Sequence, residues 1–174
     1  SDITDVKRLV EKQVVDIHRA KSIMNLVNPS ALRHMKLPSG AFLFTDFVSI
    51  PCNLEGGDHL FIRHFNDPLQ QRTVISLKDQ SGHEVNCILR SIYTDLLHNA
   101  LLFNNSQASL GEIITWLNTS LCISHFFNDD DFFTSITVQI NHQSLMLEYL
   151  SAGHPPFLLI RNKRVVLIPG QENP

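Results

Sequence analysis

The sequence predicts an α+β fold of mainly antiparallel sheets flanked by helices, preceded by a long N-terminal helix. Three observations lead there. Strand-like runs come first, two capped amphipathic helices follow, and strand-like runs return, an order that alternating βα units do not produce. The 174 residues, 43% of them hydrophobic, are enough for one core that needs no covalent staple. The first segment carries a different, heptad-like pattern from everything after it.

That first segment places Ile3, Val6, Val10, Ile17, Ala20, Met24 and Val27 at alternating three- and four-residue spacing, broken by Gln13. Two readings fit this narrow stripe: a coiled-coil dimer element, or an amphipathic helix packed on its own domain. Pro29 and "LPSG" (Leu37 to Gly40) close it, because proline removes a helix donor. A boundary therefore divides a helix and linker, residues 1–38, from a domain at 39–174. "AFLFTDFVSI" (Ala41 to Ile50), "HLFIRHF" (His59 to Phe65) and "RTVISLK" (Arg72 to Lys78) read as strands, being rich in β-branched and aromatic residues.

Two helices open on Ser-x-x-Glu capping boxes, Ser81 to Glu84 and Ser109 to Glu112. The first is expected to bury Val85, Ile88, Leu89, Ile92, Leu96, Leu97 and Ala100. The second is expected to bury Ile113, Ile114, Leu117, Leu121 and Phe126. "FFTSITVQI", "SLMLEYL", "PFLLI" and "RVVLI" then read as strands, with "NHQ" and "RNK" as hairpin turns. Trp116 and Phe126, Phe127, Phe132 and Phe133 are expected in the core.

Composition narrows the function. Fourteen Lys and Arg against 17 Asp and Glu, net charge −3, leave no basic footprint for nucleic acid. Cys52, Cys87 and Cys122 form no CxxC pair, so neither a zinc site nor a disulfide framework is expected. No apolar run is long enough to span a bilayer, and no apolar signal core opens the chain; a cytoplasmic protein with no membrane insertion is the expectation.

The chemistry points to two aspartates. Asp58 follows Gly56-Gly57 at the head of a strand, where glycines allow close approach to the backbone. Asp79 ends another strand just ahead of a capped helix. Carboxylates on rigid strand ends suit a hard dication such as Mg²⁺ or Mn²⁺, although an aspartate there also serves as a turn or capping residue. Asp129 to Asp131 reads as a solvated loop or, alternatively, a partial hard-cation site.

"LEGGDHLFI", "ISLKDQSGHEV" and "FFTSITVQI…LEYLSAGHPPFLLI" occur in the order seen in bacterial PPM-type serine/threonine phosphatases, relatives of protein phosphatase 2C, of the sporulation stage II protein E class. The resemblance covers nearly the whole chain. "VVDIHRAKSIMNLVNPSALRHMKLP" is similar to the linker that joins such domains to an upstream sensor or receiver.

The resemblance implies a PPM phosphatase-like β-sandwich with two Mn²⁺ or Mg²⁺ ions and no covalent enzyme intermediate. It implies Asp58 and Asp79 as metal ligands, with Gly57 and Gln80 supplying site backbone. Its substrate would be a phosphorylated regulatory protein such as an anti-sigma-factor antagonist, with regulation from an upstream domain; the heptad spacing, for its part, allows a homodimer through the N-terminal helix.

Where the family carries a second aspartate, this chain has Phe61; where a small residue precedes the second motif's aspartate, it has Lys78, whose ammonium could compete with a cation. No Thr-Asp-Gly segment precedes Pro174, so the expectation is a domain lacking the family's C-terminal part. A rival expectation follows: a catalytically degenerate PPM fold acting as a protein-binding and dimerisation module. His83, in the first turn of a helix, is the candidate catalytic histidine. Gly153, His154 and Pro155 form a structural signature in which the histidine fixes a turn. His18, His34 and His142 are expected to be solvated.

Overall fold

The structure, a computed structural model, describes residues 3–27, 34–48, 57–68, 70–82, 85–128 and 130–170. In chain order it contains α1 (Ile3–Val27), β1 (His34–Lys36), β2 (Phe42–Phe44), β3 (Asp58–Asp67), β4 (Gln70–Gln80), α2 (Val85–Asn104), α3 (Leu110–Ile123), β5 (Phe133–Asn141), β6 (Leu147–Ala152), β7 (Phe157–Arg161) and β8 (Arg164–Ile168). An antiparallel sheet of order β3-β4-β5-β6 is the frame, and β1-β2 and β7-β8 are separate hairpins.

Period-2 alternation gives this sheet two different faces. One takes the helices: Phe61, Phe65 and Val74 pack with Leu102 of α2 and Ile113 of α3. The hairpins lie toward the other, where Met35 Sδ is 4.0 Å from Thr73 Oγ1 and the Tyr149 and Phe157 rings meet edge-on, 5.3 Å apart. This is the expected α+β arrangement of antiparallel sheets and flanking helices. The turn at Asn162 and Lys163 has positive φ at both residues, the signature of a two-residue hairpin that follows strand twist.

α3 forms as its residues dictate. Ser109 Oγ accepts from the Glu112 amide, Glu112 Oε2 accepts from the Ser109 amide at 2.8 Å, and Leu110, Ile113, Leu117 and Leu121 are buried. The matching box at Ser81 involves Glu84, which lies outside the described residues.

Several expectations are corrected. "LPSG" is the turn of the β1-β2 hairpin, closed by the Gly40 amide on the Leu37 carbonyl at 2.9 Å with Gly40 at φ 85°. Among the described residues of the long run beginning at Ala41, Phe42–Phe44 form the strand.

α2 does not bury the apolar face its pattern suggests. Ile88 and Ile92 pack on Ile17 and Ala20 of α1, but Leu89 and Leu96 are exposed, and the sheet receives Ser91, Thr94, Asp95 and His98, all buried. Within this stripe Asp95 meets polar partners on the sheet, Lys78 and His59, while His98 stacks on the Phe61 ring.

Trp116 is exposed because α3 turns its buried residues, Leu110, Ile113, Leu117 and Leu121, away from it; Phe126, against the Tyr93 ring, and Phe132 are exposed in the connection between α3 and β5. His142 is fully buried, its Nε2 2.8 Å from Thr73 Oγ1, because the turn that carries it folds back on β4. His18 and His34 are exposed.

Candidate metal-binding site at the end of the sheet

The β3-β4 register places Asp58 directly opposite Asp79. Directly opposed residues in an antiparallel pair have Cβ atoms about 5 Å apart on the same face, so the two carboxylates leave the sheet side by side. Both residues are exposed, and neither carboxylate makes a hydrogen bond or ion pair among the described residues.

Gly57, one residue before the pair, is buried against the Gln80 backbone. Its carbonyl accepts from the Gln80 amide at 3.2 Å, and a Cβ there would collide with the Gln80 carbonyl and approach Asp79 Oδ1 to 3.3 Å. Glycine is the residue that lets β3 close on β4 here. The Gln80 side chain donates to the Phe132 carbonyl at 2.8 Å, which ties this strand end to β5.

Thr134 is the cross-strand partner of Asp79 on its other side, and Thr134 Oγ1 lies 2.8 Å from His154 Nδ1. Ser151 Oγ donates to the His154 carbonyl at 3.2 Å, and Gly153 turns the chain at φ 64° beside Ser135. These bonds hold the "AGHPP" turn over the same sheet end. Burial pushes the His154 ring below its ordinary value, with Asp79 and Asp58 opposing.

Cys87 is buried beside Gln80. Burial pushes its thiol up, Arg90 opposes, and Asp79 and Asp58 add to the rise, so the nearby sulfur is a thiol and not a nucleophilic thiolate. The structure thus gathers Gly57, Asp58, Asp79, Gln80, Gly153 and His154 at one end of the sheet. His83 lies outside the described residues. Asp131 is engaged by Arg90 at 2.6 Å and by the Asn128 amide at 2.8 Å, and Asp129 is not described.

Lys78 does not compete for a cation as expected. A one-residue step along a strand reverses the face, so its side chain enters the helix side, fully buried, with Nζ 2.6 Å from Asp95 Oδ1 and 4.5 Å above the Phe61 ring. Phe61 is there for the same reason: three residues from Asp58 is an odd step, so no side chain at 61 can join the Asp58 carboxylate.

Thr134, His59 and Asp95 escaped the sequence reading. Asp95 alone left a signal, an acid set among the apolar residues of a helix.

Two opposed, otherwise unengaged carboxylates fit one hard dication, which takes oxygen ligands and completes its shell with water. Among the described residues no cluster of three or more His, Cys, Asp or Glu is present.

Solved structures share the fold. The chain superposes on the SiaA-PP2C domain of Pseudomonas aeruginosa with a TM-score of 0.69 at 13% identity, covering 99% of this chain and 64% of that one. It also matches the PP2C phosphatase domain, with a fragment of the regulatory domain, of the cell fate determinant SpoIIE from Bacillus subtilis. There the TM-score is 0.54 at 19% identity, over 68% of this chain and 32% of that one. The fold is that of a PP2C-type phosphatase module. Residues 70–174 match the family model of stage II sporulation protein E, and the chain belongs to that family. No curated protein sequence matches it. The chain spans about a third of the Bacillus subtilis chain and under two thirds of the Pseudomonas aeruginosa one.

Proposed function

We propose that this chain is the output domain of a bacterial signalling protein, a Mn²⁺- or Mg²⁺-dependent serine/threonine phosphatase acting on a phosphorylated regulatory protein such as an anti-sigma-factor antagonist. The observation that carries the reading is the in-register, unengaged Asp58–Asp79 pair on a PP2C-type sheet. Asp58 and Asp79 hold the cation. When bound, it supplies Lewis acidity toward phosphoryl oxygens and a water of lowered pKa.

The chain's own residues prepare the place. Gly57 lets the strand ends close, Gln80 anchors them to β5, and Thr134 fixes the His154 ring, whose neutral form adds no positive charge. His154 is read as the holder of the turn. His83 enters as a hydrogen-bonding group near the phosphate through its motif position alone.

Residues 1–38 are read as the regulatory helix and linker, with dimerisation through α1. Val6, Leu9 and Val10 in its N-terminal half are exposed, which supports a seam for a second copy. No helix among the described residues is long and apolar enough to cross a membrane.

The test is release of phosphate from a phosphoserine peptide with and without Mn²⁺. Asp79→Asn should lower the Mn²⁺-dependent rate by about 100-fold or more, the scale of losing a main electrostatic element. A folded variant that keeps its rate rejects the assignment. Folded wild-type protein that is inactive at every Mn²⁺ concentration favours the binding-module reading.

A further inference from the structure

Directly behind the Asp58–Asp79 pair lies a buried polar cluster that the phosphatase reading does not use. His59 and Lys78 form the next register pair and turn to the helix side. Both reach one atom, Asp95 Oδ1 of α2: Lys78 Nζ at 2.6 Å and His59 Nε2 at 3.2 Å. His59 Nδ1 lies 3.2 Å from the Gly57 carbonyl, which also receives the Gln80 amide. A chain of polar contacts therefore runs from α2 through His59 to the backbone beside Asp58, and through Lys78 to the residue beside Asp79.

This is an expensive way to hold a helix on a sheet. The Lys78 and Asp95 side chains are fully buried, and Asp95 Oδ2 finds no partner among the described residues. A buried ion pair is commonly no more stabilising than an apolar pair of similar volume, so packing alone does not call for one here. The pair does something an apolar pair cannot: it draws two adjacent strands to a single oxygen at the level where the carboxylates emerge.

We propose that Asp95 is a positioning residue for the metal-binding site, setting the spacing and orientation of Asp58 against Asp79 by clamping His59 and Lys78 from the opposite face. The proposal rests on the phosphatase reading. It concerns how the two ligands are held and assigns Asp95 no contact with metal or substrate.

The test measures Mn²⁺ binding by calorimetry, without substrate, alongside thermal unfolding of the full chain. Wild type, Asp79→Asn, the double variant Lys78→Met/Asp95→Leu and the single variant His59→Phe are compared. The double variant replaces the ion pair with apolar groups and should melt near wild type. His59→Phe keeps a ring and removes both contacts, so it serves if the double variant fails to fold. The expected result is Mn²⁺ binding about tenfold weaker or worse in the folded double variant and in His59→Phe, the range seen when residues that orient metal ligands are lost. Unchanged Mn²⁺ affinity in these folded variants, with Asp79→Asn abolishing binding, overturns the positioning role and leaves the metal site standing. Wild type that binds no Mn²⁺, or Asp79→Asn that binds it as wild type does, overturns the metal reading and the positioning role together.

Discussion

At one end of the β3-β4 ladder, consecutive residue pairs meet opposite fates. Asp58 and Asp79 face solvent with like charges side by side. Their neighbours His59 and Lys78 face α2 and are matched to Asp95. A single step of strand alternation separates a charge left available for a ligand from a charge neutralised inside the protein. Burial pushes the Lys78 ammonium below the ordinary lysine value, with Asp95 opposing. Burial likewise pushes the Asp95 carboxyl up, but Lys78 and His59 outweigh it and hold the carboxyl well below the usual range. On the buried face the charges compensate one another; on the exposed face they repel.

The largest effect should come from unbalancing the buried face. Lys78→Met alone leaves Asp95 charged with its main partner gone, and Asp95→Leu alone leaves the ammonium in apolar surroundings. Each should lower the unfolding free energy by about 3–5 kcal/mol in urea titrations. Asp79→Asn, one residue away, should change it by no more than about 0.5 kcal/mol. Comparable losses from both substitutions would erase the distinction between the faces.

Next in size is Gly57→Ala, which tests the hinge between the faces. The added Cβ meets the Gln80 carbonyl, a backbone atom that can yield only if β3 moves from β4. Overpacking of this kind costs about 1–3 kcal/mol, and the same displacement should weaken Mn²⁺ binding. A variant that keeps both its urea midpoint and its Mn²⁺ affinity would show that the strand ends do not close as described.

Much of this was legible in the sequence, and the failures at Asp95 and His142 share one cause. β3 to β8, α1 and the α3 cap follow from periodicity and turn chemistry, which are local. Asp58 and Asp79 were legible as strand-end carboxylates in glycine-containing motifs, but their opposition required the pairing register.

What sequence could not give was the inner face of α2. Hydrophobic periodicity assigns burial to Leu89 and Leu96, whereas both are exposed and Asp95 is buried because Lys78 and His59 reach it from the sheet. His142 was misjudged in the same way, since the Thr73 hydroxyl that receives it is 69 residues away in the chain. For Asp95 and His142 burial depends on a partner, and the partner is set by tertiary structure.

Acid offers a smaller, signed effect on the buried face. His98 is fully buried, stacked on Phe61 with ring centroids 4.6 Å apart, and its ring nitrogens find no partner among the described residues. Burial pushes it well below the ordinary histidine value, with Lys78 adding, Asp95 opposing and Arg63 adding. The unfolded chain therefore binds a proton before the folded one does. His98's contribution is fully present above the unfolded value of about 6.5 and declines as pH falls from there toward the folded value, by up to about 1.4 kcal/mol per pH unit. His98→Phe keeps the stack and should flatten the decline between about pH 6.5 and 5.5 by about 1 kcal/mol in urea titrations. An unchanged slope would mean that the ring takes up its proton alike in the folded and unfolded chain.

The smallest effect returns to the exposed face, and its sign is its value. Like charges directly opposed on a sheet destabilise it by about 0.2–1 kcal/mol, and exposure to salt lowers that further. With a chelator and low salt, Asp58→Asn should raise the unfolding free energy by a few tenths of a kcal/mol, and the gain should vanish near 1 M salt, where the screening length is about 3 Å. With Mn²⁺ the order should reverse. Wild type gains about 2.7 kcal/mol at a metal concentration 100 times its dissociation constant, while a variant that has lost a ligand gains much less. Loss of stability in the chelator would assign the Asp58 carboxylate a structural bond. A gain there that Mn²⁺ does not reverse would leave the repulsion without a ligand that relieves it. The predicted crossing ties the two observations together, because carboxylates kept opposed at a cost to the bare fold recover that cost only when a cation lies between them.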